Sequence, residues 1–261
     1  IFLSGWGHGQ VAGQFYAERI LELPVSLISV CLGMASLPVL SHLADRKNYV
    51  RFARQLTVAL HWALFLIAPA LFGILAVGYE FIILAFGHGN FTDQGVTQTW
   101  MILRCYLIGL PACAVSRILL SGCVALQGTN VACGATVVTL VLTTVLCCTG
   151  LFPPVSVSLA LWMQVLLLGV WLGKTLRFYT RSVFFSVGRL LRCTLAALLA
   201  CFLAHIFLMF TIEALNSRFL ALLLSIVLAV VVWIVLLKKV SYRDFQHIAR
   251  LFDTLKKKCH S

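Results

Sequence analysis

FLALLLSIVLAVVVWIVLL, residues 219–237, runs its whole length without one charged side chain. A surface helix of a soluble domain would show a charged face beside its apolar stripe, whereas this stretch is apolar all round and needs lipid or protein on every side. VTLVLTTVLCCTG (138–150) reads the same way. The composition agrees: 61% of residues are hydrophobic and 11% charged, against roughly 45–50% and 25% in soluble domains. With a mean hydropathy of +1.01, the chain is an all-α, polytopic membrane protein.

A membrane span needs about 20 mostly apolar residues. Seven segments qualify: about 14–40, 57–78, 100–125, 131–149, 155–173, 190–211 and 219–237. A β-barrel would show short alternating segments, which QLTVALHWALFLIAPALFGILAV (55–77) does not. Basic residues cluster in alternate connections: Arg46, Lys47, Arg51 and Arg54; then Lys174, Arg177, Arg181, Arg189 and Arg192; then a tail with Lys238, Lys239, Arg243, Arg250, Lys256, Lys257 and Lys258. The opposite connections, 79–99, 150–154 and 212–218, hold only Arg218. The positive-inside rule therefore puts the basic side and the C-terminus in the cytoplasm. The net charge of +12 is this topological signal and does not indicate nucleic-acid binding. The aromatic-bearing loop 174–192 and YRDFQHIARLFDTLKKK (242–258) suit either simple anchoring or contact with anionic lipid.

No secretory signal peptide is visible and no Met opens the chain, so Ile1 reads as an entry point partway through a longer polypeptide. Most of the ten cysteines, including Cys31, Cys113, Cys123, Cys147, Cys148 and Cys201, lie in apolar runs, where a thiol is a small hydrophobe. The sequence has no phosphate-cradling G-x-x-x-x-G-K-[ST], H-E-x-x-H or G-x-S-x-G, and its histidines are scattered. Neither enzyme chemistry, a cofactor nor a metal is expected.

Charges inside the spans are the remaining candidates, because each costs about 2.5 to 3.5 kcal/mol unless it faces protein, water or an interface. In QFYAERILELP (14–24), Glu18, Arg19 and Glu22 crowd one helical sector, and Pro24 kinks the helix just beyond them. Arg117 lies near the middle of its span, too deep to snorkel, which calls for an acidic partner or a wet cavity. Arg104 is nearer the outer end and can snorkel. An arginine-lined cavity suits an anionic substrate, since the guanidinium fork binds phosphate oxygens in pairs. Gly5, Gly9 and Gly13 are spaced for close helix packing, although an outer turn fits them equally.

QFYAERILELPVSLISVCLGMASLPVLS (14–41) resembles the eighth helix of the MurJ/MviN lipid II flippases, with their Y-A-D-R-L-x-E-x-P pattern and second proline. FGHGNFT (86–92) resembles that family's F-x-x-G-x-F-T, YLIGLPACAVSRIL (106–119) its Y-x-x-G-L-P-x-x-x-x-x-K-[VIL]-L, and ALQGT (125–129) its A-x-Q-D-T. The landmarks cover about 10–130; later spans fit by count and hydropathy. Glu18 stands for Asp and Arg117 for Lys, both keeping charge, while Gly128 replaces an Asp.

The resemblance implies a fourteen-helix transporter of two six-helix lobes and a final pair, in the multidrug/oligosaccharidyl-lipid/polysaccharide exporter superfamily. The seven spans would be helices eight to fourteen, with the N-terminal half missing. Residues 1–173 would form most of the C-terminal lobe, 174–192 a basic cytoplasmic connection, 193–237 a helix pair with a groove for the lipid tail, and 238–261 a basic tail. The implied function is flipping of a polyprenyl-pyrophosphate sugar, lipid II, across the bacterial inner membrane by alternating access. Arg19, Glu18, Glu22 and Arg117 would bind substrate, and Pro24 and Pro111 would flex. Export of another lipid-linked oligosaccharide or of drugs is the alternative.

Other classes fit less well. A seven-helix receptor would carry an acidic-arginine pair where the third span ends in SGCVALQGTN (121–130). A polyprenyl transferase would need paired acids for Mg²⁺, whereas the acids on the basic side are Asp45, Asp244 and Asp253.

Overall fold

Pro24 divides the first apolar run. A proline has no N–H for the carbonyl four residues back and its ring crowds that carbonyl, so a helix kinks or ends there. In a computed structural model that describes residues 10–26, 31–86, 93–176, 197–209, 211 and 218–240, helix α1 covers Gln10–Pro24 and widens into a π-type turn at Val25 and Ser26. Helix α2 covers Cys31–Asp45. Within the single span expected over 14–40, the described residues carry these two helices of 15 residues each, on either side of Pro24 and its widened turn.

Further helices follow along the described residues. They are α3 (Tyr49–Phe86), α4 (Asp93–Ala125), α5 (Thr129–Cys148), α6 (Pro153–Thr175), α7 (Ala197–Met209) and α8 (Arg218–Val240). Helices α3 to α6 are long and apolar enough to cross a membrane. The apolar stretches of α7 and α8, Ala197–Met209 and Leu222–Trp233, are shorter. No strand occurs among the described residues. The 242–258 segment, Gly5, Gly9 and most of loops 86–92 and 174–192 lie outside them.

Helix α4 is the axis. It packs against α1, α2, α3, α5 and α6, and Ile102, Leu103, Ala112, Ala114, Ile118 and Cys123 on it are buried. Helix α5, at the edge, buries Ala132 and Ala135 and exposes Val137, Val138, Leu140, Val141 and Val145. Large apolar side chains outside and small ones at the seams are the arrangement expected where lipid surrounds the bundle. Gly13 lies against Thr99 and Ile102, and Gly78 against Trp100. Gly109 meets backbone rather than a ring: a methyl group there would come within 2.8 Å of Ser158 Oγ and 3.0 Å of Ser158 Cα.

Partner residues show the directions. Rising numbers in α1 and α2 (Gly13, Glu18, Gly33) meet rising numbers in α4 (Thr99, Tyr106, Ser121), so these run parallel. Helix α3 runs against α4, Gly78 meeting Trp100 and Leu56 meeting Gly122. On the far side of α3, Phe65 and Trp233 of α8 lie 5.2 Å apart between ring centroids, and His205 Nδ1 of α7 is 2.8 Å from Ala76 O.

One closing motif recurs at three helix ends. The N–H groups of Lys47, Gln127 and Gly150 bond to the carbonyl three residues back, and those of Asn48, Gly128 and Leu151 to the carbonyl five back. The turning residue is left-handed each time, with φ of 53°, 58° and 85°, as the helix-ending Schellman motif requires. The first two turns lie at one end of the bundle with Arg46, Arg51, Arg54 and Lys174; the third lies at the other. The alternation of basic connections is therefore reproduced as a basic end and an opposite end among the described residues.

Candidate functional site

On α1 the seam residues Gly13, Ala17 and Leu21 face α4, which turns Phe15, Glu18, Arg19 and Glu22 outward together. Those four line an open pocket of about 370 Å³. Arg19 Nη1 donates to Glu22 Oε2 at 2.8 Å, with both side chains 62% exposed. The guanidinium carbon lies 5.2 Å from the centroid of the Phe15 ring. This ion pair uses one guanidinium nitrogen and one carboxylate oxygen, so the planar fork keeps donors for a second acceptor.

Glu18 is held differently. Its Oε1 accepts from Gln14 Nε2 at 2.8 Å and from the Tyr106 hydroxyl, across from α4, at 3.1 Å. Neutral donors therefore satisfy Glu18 while Glu22 pairs with Arg19. Sequence reasoning missed Gln14, Phe15 and Tyr106 as parts of this cluster. Tyr106 opens the quoted stretch YLIGLPACAVSRIL, but its bond to Glu18 links residues 88 positions apart, which no local spacing displays.

Arg117 is not brought into this cluster. It is exposed on the same face of α4 as Tyr106, and eleven residues along the helix is roughly 16 Å further toward the basic end. No carboxylate pairs with it among the described residues. Its guanidinium lies beside Cys113, one turn back toward Tyr106, the direction in which helical side chains lean. Helix α2 approaches closely at that level: Gly33 sits against Ser121 and Arg117, and Ser121 Oγ donates to both Gly33 O and Arg117 O at 3.1 Å. Arg104 occupies the opposite face, 5.4 Å from the Trp100 ring centroid.

Pro24 and Pro111 differ in setting. The helix widens just past Pro24, and Ser26 Oγ donates back to Leu23 O at 3.2 Å. Helix α4 continues through Pro111. Just before it, Ser158 Oγ donates to Cys105 O at 2.8 Å and Trp162 Nε1 to Ile108 O at 3.1 Å, so α6 grips α4 where a proline loosens the carbonyl ladder. At Gly128, where the resemblance leads one to expect Asp, the Trp171 ring fills the space: a Cβ would come within 2.9 Å of its Cζ2. Among the described residues, no three His, Cys, Asp or Glu side chains gather in a way that could hold a metal.

Comparison with known proteins bears on the family and fold. The sequence matches the family described as lipid II flippase MurJ over residues 6–230. A probable lipid II flippase MurJ of Bdellovibrio bacteriovorus is 38% identical over 119 residues, which is 46% of this chain and 23% of the relative. One from Treponema pallidum is 31% identical over 113 residues, 43% of this chain and 22% of the relative. A solved lipid II flippase MurJ in an inward closed conformation aligns with a TM-score of 0.72 and 22% identity, over 94% of this chain and 50% of that one. At that identity the likeness is one of fold. The chain thus spans less than a quarter of the curated relatives it matches here and half of the solved structure. Since the family match takes in most of the residues, the helical bundle among them, this chain belongs to the lipid II flippase MurJ family.

Proposed function

We propose that the chain is one lobe of a lipid II flippase and that its helical spans stand as helices eight to fourteen of a two-lobe, fourteen-helix transporter. Working with an N-terminal half, it moves lipid-linked peptidoglycan precursor across the bacterial inner membrane by alternating access. Family membership supports the substrate class. The observation that carries the site is Arg19, open-forked on a helix wall with Glu22 holding one side of it. A pyrophosphate is doubly anionic or more, and a planar guanidinium grips two of its oxygens at once. Glu18 and Glu22 keep the vacant pocket from becoming too positive, and Arg117 is a second cation on the same route.

The remaining assignments rest on that reading. Pro24, at the widened turn, supplies bending, and Pro111 flexes α4 within the grip of α6. Residues 1–173 form most of the C-terminal lobe, 193–237 a helix pair with a groove for the polyprenyl tail, and the basic stretches 174–192 and 238–261 face the cytoplasm. Flipping changes no covalent bond, so no cofactor is needed. Nothing in the geometry favours a different lipid-linked oligosaccharide or a drug as cargo.

The test is complementation in the full-length transporter, with membrane abundance measured alongside. Arg19→Gln is expected to abolish function and Arg19→Lys to impair it about tenfold or more, because lysine lacks the fork and a charge-assisted contact is worth about 1.5 to 3 kcal/mol. Glu18→Asp, the family residue, is expected to be tolerated. Wild-type activity of Arg19→Gln would remove Arg19 from the substrate site.

A further inference from the structure

Below Arg117, toward the basic end, the exposed face of α4 becomes apolar. Arg117, Leu120 and Val124 recur at i, i+3 and i+7 and so share one face. Leu120 and Val124 form one wall of a groove of about 360 Å³, whose other wall is α5, with Thr129, Cys133, Thr136 and Val137 among its residues. The α5 wall presents little free polarity: Thr136 Oγ1 already donates to Ala132 O at 2.9 Å. The groove is thus a greasy channel, and Arg117 stands on the same face of α4 just beyond its deep end, with its guanidinium turned toward Cys113. Both features lie within helices of membrane-crossing length.

A cation deep in a span is costly unless something anionic or wet meets it, and no carboxylate among the described residues pairs with Arg117. An apolar channel running from it favours a ligand that is anionic at one end and hydrocarbon beyond. We propose that Arg117 and the α4–α5 groove form a transit station for the transported polyprenyl phosphate lipid, the phosphate on the guanidinium and the first isoprene units in the groove. This rests on the flippase reading and adds an orientation. A lipid resting in the basic-side leaflet has its headgroup at the surface and its chain toward the membrane centre. In this station the phosphate is central and the chain points back toward the basic surface. That is the lipid after it has tipped over, before its phosphate passes the roughly 16 Å of α4 up to the Tyr106, Glu18 and Arg19 cluster. The guanidinium leans that way already, beside Cys113.

The experiment uses the full-length transporter in vesicles with a polyprenyl diphosphate carrying a photoreactive group on its first isoprene units. Cross-links are expected on Leu120, Val124 and Val137, and Arg117→Gln should reduce them about tenfold while leaving labelling near Phe15 in place. Thr136→Phe, which fills the groove but keeps Arg117, should remove the groove labels and slow flipping at unchanged membrane abundance. Arg117→Lys keeps the charge and should retain most of the labelling. Equal labelling by the matching polyprenyl alcohol, or by photoreactive phosphatidylglycerol, would overturn the proposal, as the groove would then be an ordinary lipid contact. So would labelling near Phe15 with none in the groove. Absence of diphosphate labelling at both places would instead remove the flippase reading beneath it.

Discussion

Glu18 and Arg19 are adjacent in sequence yet take different partners, and in the proposed site that division leaves Arg19 donors for a phosphate. Arg19 lies over Phe15 and holds Glu22 by one nitrogen, while Glu18 is tied back by Gln14 and Tyr106. Were Glu18 to turn toward Arg19, the guanidinium would face two carboxylates and lose attraction for an incoming phosphate. Tyr106→Phe removes one donor from Glu18 and is expected to lower flipping a few-fold, less than Arg19→Gln, without loss of protein from the membrane. The decisive form is a cycle with Glu18→Gln: if Tyr106 acts through Glu18, the double variant is no worse than the more damaging single one. Additive losses would give Tyr106 a role of its own. The charged trio was legible in the sequence because three charges one turn apart are conspicuous in an apolar run. Tyr106 was not, since an aromatic in a membrane span carries no such signal until α1 and α4 are laid side by side.

Helices α4 and α6 meet at a point that the sequence marked for another reason. The G-L-P of Gly109 to Pro111 suggested a flexible place through its proline; the glycine before it turns out to be where α6 comes closest. With Ser158 and Trp162 donating to carbonyls just ahead of Pro111, bending there would have to carry α6 along or break both bonds. Gly109→Ala adds a methyl within 3.0 Å of the Ser158 backbone, and overpacking of this kind costs about 1 to 3 kcal/mol. A lower apparent melting temperature of the purified transporter is expected, whereas Gly134→Ala and Gly169→Ala, which meet nothing within 4 Å, should leave it unchanged or slightly higher. An equal shift for all three variants would mean that Gly109 is not a contact point. The extents of α5 and α6 could be read closely from hydropathy, because lipid demands an unbroken apolar run, whereas α3 (Tyr49–Phe86) runs well past its apolar window at both ends and α4 (Asp93–Ala125) begins well before it, where polar residues continue the helix beyond the lipid. In the first run the kink legible at Pro24 appears as the widened turn at Val25 and Ser26, since the proline supplies no N–H for the carbonyl four residues back.

At the scale of the whole molecule, the parallel and antiparallel packing gathers charge at one end of the bundle. Arg46, Lys47, Arg51 and Arg54 around the α2–α3 turn and Lys174 at the end of α6 share that end with the α4–α5 turn, while Glu80 and Asp93 lie toward the other. Moving this basic cluster to the outer side would require several arginines and lysines to cross against the bias that orients membrane chains, so the basic end faces the cytoplasm in the proposed arrangement. Single cysteines placed in a thiol-free background of the full-length protein test it. Those at Lys47 and Gln127 are expected to be protected from an impermeant thiol reagent in intact cells and to react once the membrane is opened, while those at Asp93 and Thr149 should react in intact cells. Lys47 and Gln127 already hold positive φ without being glycine, so a cysteine there adds no new backbone cost, and the neighbouring Arg46 and Thr129 provide a second pair of positions. Labelling of Arg46→Cys and Thr129→Cys with protection of Asp93→Cys would invert the bundle. It would also place the Arg117 groove in the outer leaflet, where a lipid lying with its chain toward the basic end would be arriving head first from the wrong side.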